Sequence, residues 1–502
     1  MKNVVQKTSR RTAPIDLSAD QFRMIGHDLV DKMAEFLDGI DKRPVTTNLT
    51  PEQVRAKLRS GSTLPKEGTD PARLMQKTID LLLENSLFNG HPRFWGYITS
   101  SPAPIGILAD LLASSINQNL GGWQLSPMAT EIEAQSIRWI AEFMGYPSDC
   151  GGVLTSGGNM ANFACFMAAR KAAAKYDIQS EGLGNSRLRI YASKETHTWI
   201  EKATDLFGFG TANTRRIKTD SNQRLDMNDL RKTLEDDLKN GDTPMMVVGT
   251  AGTVSTGAVD PLPEIADLCR EYNIWFHVDG AYGGFAAALD NVDENIYGLR
   301  DADSIAVDPH KWLYAPLEAG CALVRDSEKI RSAFSYHPPY YHFGEEAINY
   351  VDYGMQNSRG FRALKVWLAF QHVGRDGYVR MIEEDIRLAQ EIYRLVDNES
   401  EIEALTHNLS ITTFRFIPAD LRDRADEEKV AQYLDELNEE ILVRLKRSGE
   451  VFISNAVLND RFVLRSCIVN FRTSQDDVEA LPGVVVRYGR EADDDLRFEM
   501  LA

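Results

Sequence analysis

The residues that could do chemistry in this sequence stand in a fixed order. The last is an amine, Lys311, in Asp308-Pro309-His310-Lys311-Trp312. It follows Ile305-Ala306-Val307, an apolar run that reads as a short buried strand. Pro309 cannot continue a sheet ladder, so the chain turns there. A lysine just past a strand end, between His310 and Trp312, is placed to be desolvated. Desolvation lowers a lysine pKa and frees the neutral amine to attack a carbonyl. Upstream, Asp279 ends the run Ile274-Trp275-Phe276-His277-Val278. An ionised acid at the end of a buried strand needs a cation, and a protonated pyridine nitrogen would serve. Gly280 and Ala281 leave room there for a flat ring. His197, in Glu195-Thr196-His197, can stack on a planar ring or move protons, and Thr250 follows the run Met245–Gly249. First in the chain is Thr155-Ser156-Gly157-Gly158-Asn159, which follows one apolar run and opens a helical one. Close-approaching glycines at a helix N-terminus make a phosphate cradle. The stretch is neither a Walker sequence nor a dinucleotide fingerprint.

Each of these groups sits at the end of a strand-like run. The runs are Gly152–Leu154, Arg189–Ala192, Met245–Gly249, Ile274–Val278, Ser304–Val307 and Cys321–Val324, and helical stretches such as Met160–Lys175 and Pro261–Tyr272 fall between most of them. That rhythm predicts an α/β domain with a mainly parallel sheet, whose ligands gather at the carboxyl ends of the strands. Before it, the pattern is helical. Ser18 is a candidate N-cap, and Thr50-Pro51 and Asp70-Pro71 each place proline at the first helical position. After it come a strand at Leu409–Phe416, a charged helix at about Ala425–Ser448 and a strand near Phe462–Ser466. We therefore expect an N-terminal helical lobe (residues 1–105), a large α/β domain (106–400) and a small C-terminal α+β domain (401–502). The loop His91–Pro102 is aromatic and broken by prolines; it suits a core wedge or the wall of an apolar pocket.

A net charge of −18 argues against nucleic acid or an anionic membrane as partner. No apolar run is long enough to span a bilayer. Met1–Ile15 carries basic residues without an apolar core, so it does not read as a signal peptide. Five scattered cysteines, none in zinc-like spacing, suit free thiols in a reducing compartment, and no metal site is expected.

A phosphate cradle, a stacking histidine, an acid for a ring nitrogen and an amine for an aldehyde are together the parts that hold pyridoxal phosphate. From about Asp16 nearly to its C-terminus the chain resembles group II pyridoxal-phosphate amino-acid decarboxylases of the aromatic-L-amino-acid decarboxylase type. The likeness is carried by His91-Pro92, Gly157-Gly158, His277-Val278-Asp279-Gly280-Ala281-Tyr282 and His310-Lys311-Trp312. It implies the α/β fold of the fold type I, aspartate-aminotransferase-like enzymes, and a cytoplasmic homodimer with shared active sites.

By position, the resemblance makes Lys311 the lysine that bonds the cofactor aldehyde, Asp279 the partner of the ring nitrogen and His197 the stacking residue. Thr250 would lie near the phenolic side and Ala281 under the ring. Gly157, Gly158, Asn159, Asp308 and His310 would belong to the cofactor site, with Gly158, Asn159 and Asp308 on its phosphate side. Asp308 is a departure, because aromatic decarboxylases of animals usually carry Asn there, and an acid beside a phosphate is unfavourable.

Tyr336–Gly354 resembles the loop that closes over the family's site. Counting back from Arg359-Gly360-Phe361-Arg362 puts Tyr350 where these decarboxylases carry the tyrosine that protonates Cα; Tyr353 and Tyr341 are the alternatives. Relatives that release an aldehyde typically have phenylalanine at that position. For the substrate, the resemblance points to Trp95, Tyr97, Thr99 and Ser100 in one loop and to Asn119 and Gly121 in another, contributed partly across the dimer. Gly121 stands where animal enzymes carry a Phe, implying a larger pocket. Few cations occur in these segments, which disfavours an acidic substrate, with Arg93 the one candidate to overturn this. The expected reaction is decarboxylation of an aromatic L-amino acid (Trp, Tyr, Phe or a hydroxylated relative) to its amine. The rivals are an aldehyde synthase, a decarboxylase of acidic or basic amino acids, and a non-catalytic protein that kept the fold.

Overall fold

The computed structural model describes residues 13–336 and 347–501. The N-terminal helices begin where capping chemistry places them. Ser18 closes a capping box on α1 (Ala19–Asp38), Thr50 does the same on α2 (Pro51–Leu58), and Asp70 caps α3 (Pro71–Asn85). Two further helices, α4 (Pro104–Ile116) and α5 (Pro127–Met144), lead into the sheet. Most of Met1–Ile15, on which the leader expectation rests, lies outside the described residues.

The central sheet has seven strands: β1 (Gly151–Thr155), β2 (Leu188–Ser193), β3 (Thr214–Ile217), β4 (Thr243–Thr250), β5 (Trp275–Asp279), β6 (Ser304–Val307) and β7 (Gly320–Val324). Their order is β1-β7-β6-β5-β4-β2-β3. Only β7 runs antiparallel, between β1 and β6; the other pairs are parallel. β1, β6 and β7 are buried along their whole length, as strands covered by helices on both faces must be. The six strands expected from the sequence are all present. β3 was not expected: Thr-Arg-Arg-Ile at the sheet edge has no apolar run to reveal it.

The C-terminal region forms a second, antiparallel sheet of four strands, ordered β10-β11-β9-β8. The single strand expected at Leu409–Phe416 is instead the second half of a hairpin. β8 (Ile402–Asn408) turns at Leu409-Ser410 into β9 (Ile411–Phe416), and Leu409 takes a positive φ of 48°. β10 (Ser454–Leu458) and β11 (Arg461–Cys467) complete it, and the helix Glu428–Ser448 packs on one face. The kinked helix Ala363–Asp397 runs between the two sheets' cores.

Candidate active site

The cradle is built first. β1 ends at Thr155, and the chain turns through Gly157 at φ +89°, a backbone that favours glycine, into helix α6 (Gly158–Ala173). The first N–H groups of a helix have no intrahelical acceptor, so this end of α6 presents free donors and the positive end of the helix dipole. Inside α6, Asn162 Oδ1 meets His277 Nε2 at 2.7 Å, and Ser304 Oγ meets His277 Nδ1 at 2.9 Å. The amide oxygen can only accept, so Nε2 carries the proton. Burial pushes the pKa of His277 down to about 4. This neutral imidazole ties α6, β5 and β6 together directly beneath the strand ends.

Around a cavity of about 400 Å³ at those ends stand Gly157, Gly158, Asn159, His197 and Thr250. Asp279, Ala281, Asp308, His310 and Lys311 line it too. Thus the ten residues assigned from the sequence to cofactor contacts share one space. The Lys311 side chain is 16% exposed, so it is largely withdrawn from solvent. Its Nζ lies 3.1 Å from Asp308 Oδ2 in an ion pair. His310 donates from Nδ1 to the Ala319 carbonyl at 2.7 Å, and Ser100 Oγ donates to the His310 carbonyl at 2.7 Å. Those two bonds fix the turn that presents Lys311.

Asp279 is buried, and its carboxylate accepts from the Ala281 N–H at 3.2 Å and from the Trp199 indole at 2.7 Å. Trp199 is a residue that the sequence reading missed. It is fully buried, meets His277 edge-on, and its backbone N–H donates to His197 Nδ1 at 3.2 Å. One residue therefore sets both His197 and Asp279. The protein around His197 desolvates it and lowers its pKa, while Asp279 pulls the other way. Thr250 is held by its N–H to the buried Asp260 carboxylate at 2.8 Å.

Arg465 is a second residue not foreseen. It is 2% exposed, and Nη1 donates to the Tyr97 carbonyl and to Ser454 Oγ, while Nε and Nη2 have no partner. Its charge is felt at Tyr282, which lines the cavity. Arg465 itself is not among the residues that line the cavity. No motif surrounds it in the sequence, and only its burial reveals it.

Several substrate-side expectations are corrected. Trp95 does not face the cavity: it is fully buried in the C-terminal core, and its indole donates to Thr473 Oγ1 at 3.1 Å. The aromatic loop is thus mostly a core wedge, and only Ile98 of it reaches the cavity lining. Tyr97 is exposed, and Thr99 is half-buried outside that lining. Ser100 acts on the His310 backbone. Arg93 is committed to Asp477 at 2.9 Å, which removes it as a reader of acidic substrates.

Asn119 and Gly121 do not line the cavity of their own chain; Asn119 Oδ1 accepts from the N–H groups of Gly121 and Arg359. At Gly121 a Cβ would stand 2.3 Å from the Asn357 carbonyl oxygen. Within its own chain the glycine therefore permits close packing against that carbonyl.

Tyr350 also lies away from the cavity of its own chain. It is 2% exposed in the main core, with the Arg359 guanidinium 4.8 Å from its ring centre, and it is not among the cavity residues. Burial pushes its pKa well above the usual phenol value. Tyr353 packs against it edge-on, 5.8 Å between ring centres. Pro338, Pro339 and Tyr341 lie outside the described residues.

The arrangement fits pyridoxal phosphate: a glycine-lined helix N-terminus for the phosphate, Asp279 for the ring nitrogen, His197 for the ring face and Lys311 for the aldehyde. Comparison with known proteins agrees. Residues 51–417 match the family model described as the pyridoxal-dependent decarboxylase conserved domain. An aromatic-L-amino-acid decarboxylase of Bacillus atrophaeus is 31% identical over 92% of this chain and 94% of its own. A phenylacetaldehyde synthase of a Rosa hybrid cultivar is 28% identical over 90% of each chain. The crystal structure of Oryza sativa TDC with PLP and tryptamine superposes with a TM-score of 0.88 at 28% identity, covering 96% of this chain and 99% of that one.

Proposed function

The chain belongs to the pyridoxal-dependent decarboxylase family, and from that membership we propose that it converts an aromatic L-amino acid to the arylalkylamine and carbon dioxide. It is a carboxy-lyase of fold type I with pyridoxal phosphate as cofactor. When bound, that cofactor takes up the electron pair left at Cα as the carboxylate departs. The chain's own residues do the rest. Asp279, held by Trp199, would face the ring nitrogen and favour its protonated form; His197 would cover the ring; Lys311 would hold the aldehyde.

The charge of the cavity weighs against an acidic substrate, and the names of the relatives favour an aromatic over a basic one. Among the described residues lining it, Lys311 is the sole Lys or Arg, against Glu195, Asp279, Asp308 and Glu318. A second carboxylate on the substrate would meet anions. A neutral aromatic side chain would not. Relatives named for aromatic substrates point the same way. The rival is aldehyde release, favoured by the phenylacetaldehyde synthase relative. Oxygen consumption during turnover of L-phenylalanine, L-tyrosine and L-tryptophan separates the two. The proposal expects carbon dioxide and amine with no oxygen uptake; aldehyde and peroxide would replace it with the rival.

A homodimer is part of the proposal. Leu108, Leu111, Leu112 and Ile116 are each about half exposed along one face of α4, an apolar stripe that suits a second copy. Asn119 and Gly121, which miss their own cavity, follow that stripe in sequence. No helix among the described residues is long and apolar enough to cross a membrane, and the five cysteines are free.

A further inference from the structure

Asp308 is the one cavity residue whose chemistry the site leaves unexplained. It follows β6 directly, and its side chain is 4% exposed. A Cβ on Gly158 would stand 2.7 Å from Asp308 Oδ2, so the carboxylate lies against the first turn of α6, where the phosphate belongs. Oδ2 faces Lys311 Nζ at 3.1 Å and His310 Nε2 at 3.7 Å. Oδ1 is buried and has no hydrogen-bond partner.

The groups around it cannot neutralise two more negative charges. On its own segment are Lys311 and His310; burial lowers the His310 pKa, so that ring is neutral at pH 7. From the β2 end comes His197, also lowered, with Asp279 behind it. From β7 comes the Cys321 thiol, which burial keeps protonated. Glu318 faces His310, and Glu195 lines the same cavity. The N-terminal turn of α6 adds Gly158 and Asn159, which carry no charge beyond the helix dipole. Among the described residues, Lys311 is thus the only Lys or Arg paired with Asp308, and the nearby Arg362 is engaged by Glu318 at 2.7 Å.

We propose that Asp308 makes the cradle bind the cofactor phosphate as its monoanion, with the retained P–O–H donating to Asp308 Oδ1. No bond to phosphorus or carbon forms or breaks. The phosphate keeps a proton that it would release in water near pH 6, and the orphaned oxygen gains its donor. This rests on pyridoxal phosphate as the cofactor, which the visible absorbance of the loaded protein reports independently of the phosphate's charge. An Asp308→Asn variant keeps the shape and supplies an N–H donor, so it takes the dianion.

The test is phosphorus NMR of the loaded enzyme between pH 6 and 8.5. In the wild type the resonance stays at the monoester-monoanion position to above pH 7.5. In Asp308→Asn it lies at the dianion position throughout. A wild-type resonance at the dianion position across the range overturns the proposal, as does an Asp308→Asn spectrum identical to it. A second measurement uses pyridoxamine 5′-phosphate, which has no aldehyde and so binds without bonding Lys311. Its dissociation constant rises about tenfold per pH unit above pH 7 in the wild type and by less than threefold in Asp308→Asn. Equal slopes in both proteins overturn the proposal.

Discussion

Lys311 sits in an ion pair with Asp308 and on a turn locked by Ser100 and Ala319, so its position is set before any ligand is considered. A Lys311→Ala variant is expected to lose the visible absorbance of the bonded cofactor and to turn over at least about a thousandfold more slowly. Trp199→Phe keeps the buried ring and removes one donor to Asp279. It should fold normally, lower kcat roughly tenfold and shift its pH profile; an unchanged profile would reduce Trp199 to packing. Tyr350→Phe should leave the ratio of amine to aldehyde unchanged, because that ring is core beneath Arg359. Lys311, Asp279, His197 and Thr250 were legible because each ends or follows a strand-like run, so position along the chain already places it in the site. Trp199 and Arg465 were not, since their roles arise from partners 80 and, for Tyr97, 368 residues away. Tyr350 is buried away from its own chain's cavity, and counting along a loop carries no information about which way a side chain faces.

At the scale of elements, the site depends on how β1, α5 and the segment before Ala363 are joined. Glu133 on α5 is fully buried, accepts from the Leu154 N–H at 3.0 Å and pairs with Arg359, which also donates to the Leu154 carbonyl at 2.7 Å. Glu133→Gln leaves a buried guanidinium without its counter-charge and should cost about 3–5 kcal/mol, read as a lower urea midpoint of the apoprotein. Gly121→Ala drives a methyl into the Asn357 carbonyl and should cost about 1–3 kcal/mol. A stable Gly121→Ala protein with altered substrate preference would instead restore Gly121 as a pocket residue. The strands of the central sheet were readable from apolar runs, and the capped helices from Ser18, Thr50 and Asp70. β3 and β8 were not, because Thr214–Ile217 and Ile402–Asn408 are edge strands with polar residues that a sheet interior would exclude.

At the scale of the molecule, one buried acid links the site to the C-terminal sheet. Asp385, on the helix Ala363–Asp397, accepts from the Trp312 indole at 3.1 Å, the Tyr314 hydroxyl at 2.6 Å and the Asn470 N–H at 3.4 Å. Burial outweighs these donors and pushes its pKa up to about 7. Between pH 4 and 7 the folded protein therefore holds a proton that the unfolded chain has released. Stability falls as pH rises through that window, by on the order of a few kcal/mol, and levels off above it. Asp260, raised to about 7 by the same cause, adds to the slope. Asp385→Asn should flatten part of it in urea titrations at pH 5 and 8. Sequence alone gave no sign of this link, since it joins three distant segments that share no pattern. The reaction itself remains the central claim. The most direct test incubates the cofactor-loaded protein with single L-amino acids and measures carbon dioxide together with the organic product. The account predicts one carbon dioxide per arylalkylamine from an aromatic substrate, and none from glutamate; carbon dioxide released only from an acidic or basic amino acid would contradict it.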